Sequence, residues 1–227
     1  MYPAIPIMTV RFAPALPGFV SFVQLHVDDG PAAPLLQAEA ALLHPRATAA
    51  RRVDFQLGRA AAHTALNVLG RESGPLLRGD HREPLWPTGI VGSITHTAGY
   101  ALAATAYRER SGGIGIDLEH RERSFAELAE FVAFDEELAW LEAVPPEKRR
   151  RATLELFSAK ESIFKAFFPR VGSFFGYRAA RVRPLPTGGF EGFLVAALDA
   201  EYPADRAFFI GCEWRGDFVL TTLVLPV

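Results

Sequence analysis

The sequence predicts an α+β protein of two similar halves, each a long helix packed on a small antiparallel sheet. Two helix-period runs predict it, about Ala47 to Leu69 and about Glu147 to Phe168, together with short β-branched and aromatic runs bounded by glycine and proline. The polar, glycine-containing break from Glu109 to Gly113 separates the halves, so the expected domains are 1–110 and 111–227.

In the first half Phe19 to Val27 reads as a strand and Pro31 to Pro34 breaks the chain. Val53, Leu57, Ala61, Ala65 and Val68 recur at helical spacing, with Gly70 as terminator. Ser73 to Thr88 carries three prolines and two glycines and is a loop. Ile90 to Thr95 and Tyr100 to Tyr107 are strands meeting near Ala98-Gly99. In the second half Ile114 to Leu118 is a strand, and Ser124 with Glu127 makes a capping box for a short helix. Pro145-Pro146 is a stop, and the second long helix should end before Pro169. Gly189 to Leu198, Phe208 to Trp214 and Phe218 to Leu225 close the chain as an antiparallel meander.

Composition narrows the function. With 227 residues, 49% hydrophobic and 22% charged, the chain can bury a full core. A net charge of -2 supplies no basic field for nucleic acid. A single cysteine, Cys212, excludes an intramolecular disulfide and a thiolate metal cluster. No apolar run has the length of a membrane span. Met1 to Val10 is broken by Pro3 and Pro6 and lacks a basic leader, so no signal peptide is expected and the protein reads as cytoplasmic.

The chemistry concentrates in a few acids. Asp117 and Glu119 stand two apart in a strand and share a face, while Ile114, Ile116 and Leu118 take the other. Two such acids either face water or share a cation, and oxygen donors suit Mg²⁺. Glu161 sits on the long helix among Leu154, Phe157, Phe164 and Phe168, with Lys165 one turn on. It is either half of a buried Glu–Lys pair or a third carboxylate on the same ion. Carboxylates gathered without a cation would be strained. Gly92-Ser93-Ile94-Thr95-His96-Thr97 ends a strand with hydroxyls, an imidazole and backbone N–H groups suited to phosphate. Arg51 and Arg59, eight apart on the first helix, either fork onto a phosphate or form a solvated face. Lys148 to Arg151 reads as a solvated basic run or a docking patch for an acidic partner. No Walker loop, dinucleotide fingerprint or zinc-protease motif is present.

Three segments together resemble the 4'-phosphopantetheinyl transferase family, in its order and at similar separations: Gly92 to His96, Gly115-Ile116-Asp117-Leu118-Glu119, and Phe157 to Ala166 with its Ser-Ala-Lys-Glu-Ser core. Leu85-Trp86-Pro87 and the Arg51 to Arg59 run are similar to the enterobactin-synthetase-activating, surfactin-type branch. The resemblance covers roughly Arg51 to Ala166 and implies a pseudo-twofold monomer with coenzyme A in the cleft between the halves. By match of position, Asp117, Glu119 and Glu161 would hold Mg²⁺. Thr95 and His96 would contact phosphate oxygens, Arg51 and Arg59 the 3′-phosphate, and Lys160 would join the coenzyme A contacts. Glu161 and Lys165 would be catalytic.

The implied reaction moves phosphopantetheine from coenzyme A to a serine of an apo acyl or peptidyl carrier protein, releasing 3′,5′-ADP, as in siderophore or secondary-metabolite synthesis. Neither nucleic acid nor membrane is an expected partner. The rival readings are another metal-dependent phosphate-ester or nucleotide hydrolase, and a non-catalytic binding module whose acids only pair with the arginines. Two positions depart from the family pattern: Glu83 stands before Pro84 where a basic or amide residue is frequent, and His63 stands where arginine is common.

Overall fold

A computed structural model describes residues 10–122, 128–172, 175–198 and 202–227, Leu128 by its backbone alone. The chain is α+β, with two antiparallel sheets of unequal size. Strands β1 (Ser21–His26), β2 (Ile90–Thr97) and β3 (Tyr100–Tyr107) form the first, in the order β1-β3-β2. Strands β4 (Gly113–His120), β5 (Ala180–Pro184), β6 (Phe190–Leu194), β7 (Ala207–Arg215) and β8 (Phe218–Leu225) form the second, in the order β4-β8-β7-β6-β5. Ahead of α2 (Ala49–Val68) lies the one-turn α1 (Gln37–Ala40); α3 (Leu128–Val132), α4 (Asp135–Ala143) and α5 (Pro146–Val171) come between β4 and β5.

The first sheet is covered on both faces because β3 alternates. Ala101 and Ala103 meet Leu57, Ala61, Ala62 and Ala65 of α2. Tyr100, Leu102, Ala104 and Ala106 turn the other way, onto Ile114, Ile116 and Leu118 of β4. Small residues on both surfaces let α2 lie close to the sheet. Ala98 and Gly99 have φ of 47° and 82°, the left-handed pair of a tight hairpin between β2 and β3. Thr48 caps α2 by accepting from the backbone N–H of Arg51 at 3.2 Å.

β4 is the hinge of the architecture. Its apolar residues face the first sheet as its alternation predicts, so Gly113, Gly115, Asp117 and Glu119 face α5. A Cβ on Gly115 would stand 1.8 Å from the carbonyl oxygen of Ser162, and one on Gly113 2.2 Å from that of Ala166. The two glycines therefore admit the helix backbone. Alongside β4, α5 packs Leu156, Ala159, Ile163, Ala166 and Phe167 against Val182, Phe190, Leu194, Ile210 and Leu223 of the rest of the second sheet. β2 and β4 lie in different sheets and are joined by side chains: Ser93 Oγ accepts from the N–H of Ile116, and Thr95 Oγ1 from that of Leu118, both at 3.0 Å.

Two points of the sequence reading change. Helix α5 runs past Pro169 to Val171. Pro169, itself exposed, removes one hydrogen bond in the last turn, and Gly172, left-handed at φ 67°, closes the end through its N–H to the carbonyl of Phe168 at 2.9 Å. The basic run at α5's start is exposed, as a solvated run should be, and three of its residues also bind the protein. Arg149 donates to the carbonyls of Leu141, Glu142 and Val144 at the end of α4. Arg150 donates to the carbonyl of Arg121, while Arg151 pairs with Glu155 and lies 4.4 Å from the Trp214 ring. Strand β5 and helix α4, short and without clear periodicity, have no counterpart in the sequence reading. Ser124 and Glu127 lie outside the described residues.

The β4–α5 approach gives a direct test. Replacing Gly115 with alanine should destabilise by about 3 kcal/mol, the upper end of overpacking, because the obstacle is backbone. Alanine at Gly18, where a Cβ meets nothing within 4 Å, should stay within about 0.5 kcal/mol of wild type. Chemical denaturation of both variants decides it.

Candidate active site

Where β2, β4 and α5 meet, a cavity of about 280 Å³ is lined by Ile94, Thr95, His96, Asp117, Leu118, Glu119, Phe157, Glu161 and Lys165. Strand alternation puts Asp117 and Glu119 on one face, helical spacing puts Glu161 and Lys165 one turn apart, and the end of β2 supplies Thr95 and His96.

Asp117 is 4% exposed and closely held. Lys165 Nζ donates to its Oδ1 at 2.7 Å, Ser158 Oγ to its Oδ2 at 2.8 Å, and Thr95 Oγ1 lies 3.5 Å from Oδ1. Lys165 Nζ also donates to the carbonyl of Ile116 at 3.1 Å. Burial pushes the Lys165 ammonium down in pKa, but Asp117, then Glu161 and Glu119, more than offset it, and the net shift is upward. The strain expected of gathered carboxylates is therefore relieved from within by Lys165. Behind Asp117, Ser158, Ser162 and Thr221 form a buried hydroxyl cluster, with Ser158–Thr221 at 2.9 Å and Ser162–Thr221 at 2.7 Å. Glu161 is half-buried and accepts a hydrogen bond from the Tyr177 hydroxyl.

His96 connects the cavity to α2. Arg51 Nη1 lies 3.0 Å from His96 Nε2, and Asp54 Oδ2 lies 4.0 Å from Nδ1. Since a guanidinium can only donate, Nε2 accepts and the proton sits on Nδ1, toward Asp54. Burial, then the Arg51 charge, lowers the His96 pKa, with Asp54 opposing. Arg59 does not share Arg51's setting. It is buried, 4.6 Å from the Phe55 ring centroid, with Nε 4.0 Å from Glu39 Oε1. Its Nε makes no hydrogen bond, and burial lowers its pKa against the pull of Glu39.

Lys160 is not brought to the cavity, which corrects its expected contact with coenzyme A. One residue from Glu161, it points toward α4 and β5 instead, where Nζ meets Glu137 Oε1 at 2.8 Å and the Ala180 carbonyl at 2.5 Å. Burial lowers its pKa and Glu137 opposes. Glu137 also accepts from the N–H groups of Phe134 and Val182, so the pair ties α5 to α4 and β5. The two departures from the family pattern are structural contacts here. Glu83 accepts from the N–H of His81 at 3.0 Å beside left-handed Arg82, and His63 bonds Glu39 at 2.8 Å and Ser73 at 2.9 Å. The Cys212 thiol is pushed up to about 12 by burial and Glu155, unsuited to nucleophilic chemistry.

The donor set can be tested against a cation. Among the described residues no three acids or histidines stand close enough together to hold a metal as they are. Asp117, Glu119 and Glu161 nevertheless line one cavity with oxygen donors only, the chemistry a hard divalent ion takes. The fit requires Lys165 Nζ to release Asp117.

Most of the chain is similar to known proteins. The 4'-phosphopantetheinyl transferase N-terminal domain matches residues 38–106, and the 4'-phosphopantetheinyl transferase superfamily matches residues 113–221. The 4'-phosphopantetheinyl transferase PptT of Mycobacterium tuberculosis is 34% identical over 163 residues, 72% of this chain and 70% of that protein. Svp of Streptomyces mobaraensis, also a 4'-phosphopantetheinyl transferase, is 36% identical over 165 residues, 71% of this chain and 65% of its own length. Enterobactin synthase component D of Salmonella typhimurium is 37% identical over 180 residues, 78% and 73% of the two chains. The chain is a transferase that belongs to the 4'-phosphopantetheinyl transferase superfamily.

Two measurements probe the site. Asp117→Asn in metal-free buffer should destabilise by about 2–3 kcal/mol. That is below the full figure for breaking a buried pair, because Lys165 keeps a quarter of its side chain in water. Thermal melts in chelator read it. His96 has a folded-state pKa below its unfolded value, so the stability tied to its neutral form is complete above about pH 6.5. It is lost as pH falls from there through the folded pKa. His96→Gln should flatten the fall in stability between pH 7.5 and 5.5, as measured by urea midpoints.

Proposed function

We propose that this transferase moves the 4'-phosphopantetheine group of coenzyme A onto a serine of an apo carrier protein, with Mg²⁺ held by Asp117, Glu119 and Glu161. The observation that carries the reading is the single cavity that collects these three acids, Lys165, Thr95 and His96 from β2, β4 and α5. In the same reading the protein acts as a monomer, divides at 1–110 and 111–227 into halves related by a pseudo-twofold, and binds coenzyme A across their seam.

The bound ion would neutralise pyrophosphate charge and stabilise the departing group. This chain's own groups do the rest. Arg51, beside His96 at the start of α2, meets the 3′-phosphate. The Thr95 hydroxyl donates to a phosphate oxygen, and the His96 ring does so once Nε2 takes a proton, which approaching negative charge favours. Lys165 brings its ammonium to the reacting phosphate. Glu161 accepts the proton of the carrier serine, whose oxygen bonds the β-phosphorus as the bridging bond to 3′,5′-ADP breaks. A neighbouring cavity of about 200 Å³ shares Ile94, Glu161 and Lys165 with the first. It adds Pro84, Phe164, Phe168 and Pro169, an apolar wall for uncharged parts of the substrate.

Intact-mass analysis of apo carrier proteins with coenzyme A and Mg²⁺ tests the proposal. The carrier should gain the phosphopantetheine mass, and an unchanged carrier with hydrolysed coenzyme A would favour the hydrolase reading. The 3′-phosphate assignment has its own test. Wild type should prefer coenzyme A over dephospho-coenzyme A, and Arg51→Ala should reduce that preference about tenfold or more, as loss of a charge-assisted contact does. Arg59 is left in place because its removal would disturb the buried Glu39.

A further inference from the structure

Glu161 is held by a residue that no sequence periodicity brings near it. The chain leaves α5 at left-handed Gly172 and returns, from Gly176, as a single 3-10 turn, Tyr177–Ala179. Tyr177, 16 positions from Glu161, donates its hydroxyl to Glu161 Oε1. Its ring lies 6.0 Å between centroids from that of Phe157 of α5, and the largely exposed Phe131 of α3 meets it edge-on at 5.7 Å. A ring with two side-chain torsions and neighbours on two elements is less free than a glutamate with three torsions, so the carboxylate adapts to the hydroxyl. Lys165 attracts Glu161 by charge, but its hydrogen bonds go to Asp117 Oδ1 and the Ile116 carbonyl. The phenol therefore has the stronger directional hold on Glu161.

We propose that Tyr177 is a positioning residue for Glu161: its hydroxyl engages Oε1, sets the orientation of the carboxylate in the cavity, and leaves Oε2 for the cation or the acceptor serine. The inference rests on the reading that Glu161 acts in transfer. Asp117 is treated in the same way by Ser158, whose hydroxyl bonds Oδ2 from behind. Such outer contacts orient ligating carboxylates, and their loss typically weakens metal affinity or activity about 10- to 100-fold.

The test uses Mn²⁺, another ion suited to oxygen donors, titrated by electron paramagnetic resonance against the protein with coenzyme A and no carrier. Tyr177→Phe keeps the ring and removes only the hydroxyl. It should weaken the Mn²⁺ midpoint about tenfold and lower kcat in parallel, while KM for coenzyme A stays within about twofold. The melting temperature should fall by no more than about 2–4 °C. Phe131→Ala loosens one side of the ring and leaves the hydroxyl; it should shift the Mn²⁺ midpoint the same way by less, and it serves if Tyr177→Phe does not fold. A Tyr177→Phe protein with wild-type Mn²⁺ midpoint and kcat, or one changed only in melting temperature, overturns the inference. Glu161→Gln separates the two failures. If it too keeps metal affinity and transfer, the role of Glu161 falls and the inference with it; if it is inactive while Tyr177→Phe is silent, the inference alone falls.

Discussion

Strand β4 and helix α5 touch backbone to backbone at Gly115 and Ser162, and the site depends on that contact. A side chain at Gly115 would push the helix outward by more than an ångström. Glu161 and Lys165 lie on the helix that would move, and Asp117 lies two residues along the strand that would not. The Lys165–Asp117 bond at 2.7 Å and the Ser158–Asp117 bond at 2.8 Å exist only at this separation. Backbone packing thus sets the distances on which the carboxylate chemistry rests.

Joined to this contact is a second constraint, the stitching of β2 to β4 by Ser93 and Thr95. Neither sheet extends across the join, so two hydroxyls do what a ladder of backbone hydrogen bonds would do elsewhere. Thr95 consequently faces two demands, holding the Leu118 N–H and lying within reach of Asp117. Glu161 has a directed partner in Tyr177, and Lys165 supplies the charge that lets buried acids stand together. Asp117 and Glu161 therefore each have a directed hydrogen-bond partner.

Much of this was legible from residue order. The alternation Ile114, Ile116, Leu118 against Asp117 and Glu119 placed the acids on one face, and the helical interval placed Lys165 beside Glu161, because both periodicities are properties of the backbone. The strand Ser21–His26, both long helices and the β2–β3 hairpin follow from the same patterns. Lys160 and Glu161 show where the patterns stop. Adjacent residues on a helix point about 100° apart, so one meets the cavity and the other Glu137. Only the packing of both sides of α5 shows which is which. Arg51 and Arg59 share a helix face by spacing, yet Glu39 and Phe55 enclose one of them and leave the other at the surface.

What the sequence by itself determined is the local part: the element types, the faces that the acids and apolar residues occupy, and the family that its three ordered motifs resemble. The tertiary structure decided the partners. Asp117 with Ser158, Lys165 with the Ile116 carbonyl, His96 with Arg51, and Tyr177 with Glu161 are separated by 41, 49, 45 and 16 positions. No period of 2 or 3.6 residues links such pairs. They meet because the two glycines of β4, the left-handed turn at Gly172 and the small residues between α2 and the first sheet bring separate elements into contact, a result of packing that cannot be read one segment at a time.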